Sequence, residues 1–192
     1  MRHCYQFSPL FLILLFNACA QYQQISCAYV PKVTDTHKTP EITQVENCAR
    51  IDKNNEISIS RDNLNQISFN KTGLAEIRIN TGVYYVNKTG QLVRSHLFDN
   101  GADYFKEGLS RTIQDRKFGF INQKLEIVIQ PKYDFAFPFS NGASKVCLGC
   151  TPIKVGEHTE MRGGKWGYID KSGNIIVEIV YDIDQLMNLN IK

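Results

Sequence analysis

Cys147 and Cys150 stand two residues apart, and Glu157, His158 and Glu160 follow close behind. Thiols and an imidazole in that pattern can do three kinds of chemistry. A Cys-x-x-Cys pair exchanges disulfides when its first thiol sits at a helix N-terminus that lowers its pKa. Here the pair follows a strand pattern and Gly149 and Pro152 flank a turn, so redox catalysis is disfavoured. Zinc is bound tetrahedrally by thiolate and imidazole, which makes Cys147, Cys150 and His158 candidate ligands, with Glu157, Glu160 or His96 as a fourth. The third reading is a disulfide that staples the base of a loop, and an oxidising compartment favours it. No G-x-S-x-G, H-E-x-x-H or glycine-rich phosphate loop occurs. The acidic pairs Asp99/Asp103 and Asp182/Asp184 read as turn residues rather than as a glycosidase pair.

The elements that must position these residues are written as a repeat. Ile51-Asp52-Lys53-Asn54-Asn55, Val86-Asn87-Lys88-Thr89-Gly90, Ile121-Asn122-Gln123-Lys124 and Ile169-Asp170-Lys171-Ser172-Gly173 are copies of one turn. Between positions 52, 87, 122 and 170 the steps are 35, 35 and 48 residues. A fixed period of this size marks units that bury their apolar faces only against their neighbours. Gly73-Leu74-Ala75, Gly108-Leu109-Ser110 and Gly142-Ala143-Ser144 form a second recurring phrase, and each starts a strand. A third phrase, Leu97-Phe98-Asp99, Lys132-Tyr133-Asp134 and Val180-Tyr181-Asp182, ends one. The sequons at Asn70 and Asn87 fall on repeat turns and read as turns, not as glycan acceptors. Short alternating runs broken by turns predict antiparallel strands, about two hairpins per unit. Only residues 184–189 offer a turn of helix. The fold class expected is all-β, a set of repeated antiparallel β-hairpin units.

Lys165-Trp166-Gly167-Tyr168-Ile169-Asp170-Lys171-Ser172-Gly173 closely resembles the signature of the WG-repeat family. Lys117-Phe118-Gly119-Phe120-Ile121-Asn122 repeats it with Phe for Trp, and Ile129 to Asp134 followed by Phe139 to Ala143 is similar to the family's spacer. The likeness is strong over residues 118–182 and degenerate over 49–116, where Tyr84 replaces the glycine and His96 stands at the spacer's Pro position. The resemblance implies a β-hairpin array and no assigned activity. Trp166, Gly167, Phe118, Gly119, Gly173 and Tyr133 are then structural repeat positions, and one large apolar residue per unit suits a stacked core better than a ligand platform.

The third step exceeds the period by 13 residues, and the surplus lies between Val146 and Trp166. An insertion in a repeat forms a loop or extended hairpin on one face, often the binding face. Function is expected there.

The N-terminus carries an address. Arg2 and His3 precede the apolar run Leu10–Phe16, too short to span a bilayer, and Ala18-Cys19-Ala20 follows. This is a secretory signal, residues 1–18. Leu15 to Cys19 resembles the bacterial lipobox, which makes Cys19 the lipidated first residue of the mature chain; Ala18-Cys19-Ala20 also fits ordinary cleavage. Ala20 is not the Asp that, by resemblance to Gram-negative lipoproteins, holds a protein in the inner membrane. The expected place is the outer membrane, facing the periplasm, with secretion into the periplasm as the alternative. Residues 19–45, poor in large apolar groups, read as a tether, and 46–192 as the β domain. Cys27 and Cys48 form the other expected disulfide. The net charge of +3 is close to neutral with no clustered basic face, so nucleic acid is set aside. The sequence therefore predicts a noncatalytic envelope protein that needs no cofactor and binds an unknown envelope protein or polysaccharide. The alternative is a metal-binding or redox-linked periplasmic protein using Cys147, Cys150 and His158.

Overall fold

An Asp or Asn side chain can fold the backbone that follows it by accepting hydrogen bonds from nearby amides. Each of the four repeat turns is built this way. Asp52 Oδ1 accepts from the N–H groups of Asn54 and Glu56, both at 2.8 Å. Asn87 Oδ1 takes Thr89 and Gln91 at 3.0 and 3.1 Å, and Asn122 Oδ1 takes Lys124 and Glu126 at 2.9 and 3.1 Å. Asp170 Oδ1 takes Ser172 and Asn174, both at 2.9 Å. The residue three places on has positive φ in every copy: Asn55, Gly90, Leu125 and Gly173. Leu125 is the costly choice there, since a left-handed backbone costs a non-glycine residue roughly 1–2 kcal/mol. Its side chain is buried with Leu74 and Ile121, which offsets the strain with about 1.5–3 kcal/mol.

The computed structural model describes residues 22–34 and 40–189, so the signal segment, Cys19 and His37 lie outside the described residues. Each Asx turn joins the second and third strands of a three-stranded antiparallel unit. Unit 1 is β1 (Tyr22–Tyr29), β2 (Thr43–Asp52) and β3 (Ile57–Ile59), followed by α1 (Arg61–Gln66). Unit 2 is β4 (Leu74–Ile79), β5 (Gly82–Asn87) and β6 (Leu92–Arg94), followed by the short pair β7 (Leu97–Phe98) and β8 (Gly101–Ala102). Unit 3 is β9 (Leu109–Gln114), β10 (Lys117–Asn122) and β11 (Ile127–Tyr133), followed by β12 (Phe135–Ala136). Unit 4 is β13 (Ala143–Val155), β14 (His158–Asp170) and β15 (Ile175–Tyr181), closed by α2 (Ile183–Met187). Units 1 and 2 share one six-stranded sheet, ordered β3-β2-β1-β4-β5-β6; unit 3 forms its own sheet, and unit 4 takes β12 onto its edge. Among the described residues no helix is long and apolar enough to cross a membrane.

Two expectations are corrected. The segment read as a tether contains β1, a central strand paired with both β2 and β4. Its Ile25, Cys27 and Tyr29 alternate into the core, and small or polar neighbours hid that period. The domain thus already includes β1 rather than starting at 46. The three strands of each unit form two successive hairpins, as expected. The phrases at Gly73, Gly108 and Gly142 each start a strand as expected, by different turns: Gly73 closes a fifth Asx turn, in which Asn70 Oδ1 accepts from Thr72 and Leu74 at 2.9 and 3.0 Å. The other two glycines sit in two-residue hairpins, Glu107-Gly108 and Asn141-Gly142, with both residues at positive φ. Finally, α1 went unread, although Ser60 caps it by accepting from the Asn63 N–H at 3.2 Å.

The Trp-Gly signature has a geometric cause. In unit 4 Trp166 pairs with Tyr181 and Tyr168 with Val177, so β15 spends two extra residues against β14. Unit 3 does the same, with Phe118 opposite Tyr133 and Phe120 opposite Ile129. The bulged backbone closes over the intervening glycine. A Cβ on Gly167 would lie 2.5 Å from Val177 O and 2.7 Å from Glu178 O, and one on Gly119 would collide with Ile129 O and Pro131 N. Units 1 and 2 pair without that bulge, and there Ala49 and Tyr84 hold the glycine's place. Gly167→Ala is therefore expected to cost about 3 kcal/mol, the upper range for overpacking, whereas Ala49→Gly in unit 1 should cost about 0.5–1 kcal/mol. Urea titration of both variants checks the difference; equal costs would remove the bulge from the explanation.

Candidate functional site

Of the two forms expected for the 13-residue surplus, the structure shows the extended hairpin, a β ribbon. β13 and β14 continue past the sheet in register, from Val146 opposite Gly167 to Val155 opposite His158. β12 ends opposite Cys147, and β15 pairs with β14 only from Trp166 onward. From Cys150 outward the ribbon therefore has no neighbouring strand on either edge among the described residues. Thr151 to Arg162 are exposed apart from half-buried Ile153 and Met161.

The base of the ribbon is tied down. Cys147 and Cys150 are disulfide-bonded within β13, with Cα atoms 6.1 Å apart, and both are buried. Gly149, at φ +79°, lies between them, and the strand pairing keeps its register across it. Opposite lies Gly164, where a Cβ would fall 2.6 Å from Leu148 O. The Asp134 carboxylate accepts from the Gly149 N–H at 2.7 Å and from the Lys117 ammonium. Burial works against that charge, but these two donors hold its carboxyl below the usual carboxylate range. Trp166 is 2% exposed and packs with the disulfide and Leu186. Its indole N–H donates to Gly163 O at 3.0 Å, so the core anchor of unit 4 also clamps the ribbon.

The other predicted positions fall out as follows. Cys27 and Cys48 are disulfide-bonded, Cα atoms 5.9 Å apart, in the core of unit 1. Cys48 occupies the register of Trp166 and Phe118, counted from the Asx residue, so the bond replaces a large ring. Phe118 and Tyr133 face each other across β10 and β11 in the core of unit 3, and Gly173 closes its turn against Ile129. The metal reading is not assembled. His158 pairs with Val155 at the far end of the ribbon, away from a bonded Cys147–Cys150 pair. Among the described residues no three of His, Cys, Asp and Glu are placed to hold a metal ion. Asp182 begins α2 and pairs with Lys165 at 2.9 Å.

Asp103 is a correction. It is not a turn residue but half of a buried ion pair, bound by Arg111 through Nε to Oδ2 and Nη2 to Oδ1, both at 2.8 Å. The Arg111 backbone N–H adds a third bond at 3.1 Å, and Nη1 reaches Ala136 O at 3.1 Å. This ties the link before unit 3 to the link after it. His96 lies alongside with its edge toward Phe118, ring centroids 5.0 Å apart. Burial, then the Arg111 charge, lowers its pKa to about 4 against a weaker pull from Asp103, so it is neutral at pH 7. The sequence signal for Arg111 lay one residue beyond the phrase Gly108-Leu109-Ser110.

Residues 118–149 and 166–182 match the model of the WG-containing repeat. The break between the two matched segments coincides with the ribbon, and both lie in the units that carry the bulge. No curated protein and no solved structure matches the chain.

Proposed function

We propose that this chain is a WG-repeat protein and a noncatalytic component of the cell envelope that uses its ribbon to hold another envelope component. The ribbon carries this reading. A two-stranded ribbon alone is marginal in water, yet this one is held at its base by a disulfide, a clamped indole and a carboxylate. Two open edges offer unpaired N–H and C=O groups, the requirement for adding a partner's strand. The carboxylates have structural work: Asp52 and Asp170 fold turns, Asp103 holds Arg111, and Asp134 holds the ribbon base. That distribution supports a scaffold rather than an active site.

The address is part of the proposal. Lipid on Cys19 would place the domain close behind the anchor, since β1 begins at Tyr22. Labelling with a fatty-acid analogue tests it: Cys19→Ser should lose the label and leave the membrane fraction. A variant that keeps its label contradicts lipidation.

For the ribbon, residues 149–163 are replaced by a two-residue turn, with Cys147 changed to Ala. The sheets should persist, because no core residue except Cys150 lies within the removed stretch. Photo-crosslinking from position 155 in intact cells should give a discrete adduct in the full chain, and that partner should be lost on affinity capture with the trimmed protein. A folded trimmed chain that still captures the same partner overturns the reading.

A further inference from the structure

The repeat contains its own control experiment. Gly108-Leu109-Ser110-Arg111 in unit 3 and Gly142-Ala143-Ser144-Lys145 in unit 4 occupy one register. The serines show it: Ser110 Oγ donates to Asp103 O at 2.9 Å, and Ser144 Oγ donates to Phe137 O at 2.6 Å. Lys145 thus stands where Arg111 does, and Phe137 stands where Asp103 does. In unit 3 the cation is neutralised internally by a buried bidentate carboxylate. In unit 4 the cation remains and the carboxylate has become an aromatic ring.

The Lys145 ammonium lies 4.4 Å from the Phe137 ring centroid and 5.9 Å from that of Trp166. Half-buried, it makes no ion pair among the described residues, and burial pulls its pKa below the usual lysine range. Removing a cation from water without an anion is unfavourable, and ring faces compensate only in part. Glu107, nearby, does not supply the charge: its carboxylate accepts from the Gly142 N–H at 3.0 Å and faces Lys171 at 3.5 Å. Around Lys145 is an open cleft of about 590 Å³ lined by Lys106, Phe137, Ser140, Asn141 and Tyr168. Phe137 is 39% exposed, so its ring is open to the cleft.

We propose that this cleft binds a carboxylate-bearing sugar, its carboxylate taking the place that Asp103 fills in unit 3. Lys145 pairs the carboxylate, Phe137 lies against the apolar face of the sugar ring, and Ser140 and Asn141 bond hydroxyls. Lys106 meets a second charge, which suits a polymer with one carboxylate per residue. The mixture of an exposed flat ring with hydroxyl and amide groups favours an acidic glycan over an acidic peptide. The cleft is separate from the ribbon. It rests on the proposed envelope role only for the kind of polymer present there.

The test is titration of the whole protein with trigalacturonate, followed by calorimetry and by the emission of Trp166, the chain's one tryptophan. Maltotriose serves as the uncharged sugar and triglutamate as the acidic peptide. Trigalacturonate should bind at least about tenfold more tightly than either, with affinity falling as salt rises. Lys145→Met should weaken it at least about tenfold, Lys145→Arg should not, and Phe137→Asp should abolish it by restoring the internal partner of unit 3. Trimming the ribbon should leave the affinity measured by calorimetry unchanged, which separates failure here from failure of the ribbon's role. The proposal is overturned if trigalacturonate does not bind at millimolar concentration, or if triglutamate binds as well. It is equally overturned if folded Lys145→Met and Phe137→Asp proteins bind like the parent, and should Lys145→Met not fold, Phe137→Asp alone decides.

Discussion

One interaction sets the shape of every unit: an Asp or Asn oxygen that holds the amides two and four residues ahead. It fixes where the second strand ends and where the third begins, and so it fixes the register of each sheet. The supporting backbone bonds are uniform. Asp52, Asn87, Asn122 and Asp170 each donate their own N–H to the carbonyl four residues on, at 2.9–3.1 Å. The carboxyl of Asp170 is held below the usual carboxylate range, by the Asn174 side chain above all and by the turn's amides. Once the turn is set, strand partners follow from chain continuity alone, which is how such different side chains build the same unit four times.

Above that shared frame, two packing solutions coexist. In units 3 and 4 the third strand bulges over a glycine, and a ring at the preceding position fills the core. In units 1 and 2 the strands run without that bulge, Ala49 or Tyr84 takes the glycine's place, and Cys48 or Val83 takes the ring's. A disulfide from Cys48 to Cys27 gives unit 1 the cross-link that Trp166 gives unit 4 by burial. This explains why the family signature ends at residue 118 while the architecture continues to Tyr22.

What was legible in the sequence follows the same division. The Asx turns could be read because their chemistry is local and their side chains are specified. Strand β1 could not, because its pattern of Ile25, Cys27 and Tyr29 lies among Gln, Ser and Ala, and its partners β2 and β4 are distant in sequence. The insertion and its disulfide were legible as a feature, with loop and extended hairpin left open, since the matching half of the ribbon is supplied by residues after the turn at Gly156. His158 looked like a ligand in sequence, and the extended geometry of β13 and β14 carries it to the opposite end. The Asp103–Arg111 pair was hidden for another reason. It joins residues on two links of the chain, and only comparison of one unit with the next reveals that Lys145 lacks the carboxylate Arg111 has.

Residue-resolved native-state hydrogen exchange, run on the parent and on Asp170→Ala, tests the central claim that the Asx oxygen organises each unit. In the parent, the amides of Asn54, Glu56, Thr89, Gln91, Lys124, Glu126, Ser172 and Asn174 should all be protected, although they lie at surface turns. In Asp170→Ala, protection should vanish at Ser172 and Asn174 and weaken along β15, with the other three turns unchanged. Turn amides that exchange freely in the parent, or that stay protected without the Asp170 side chain, would contradict the account.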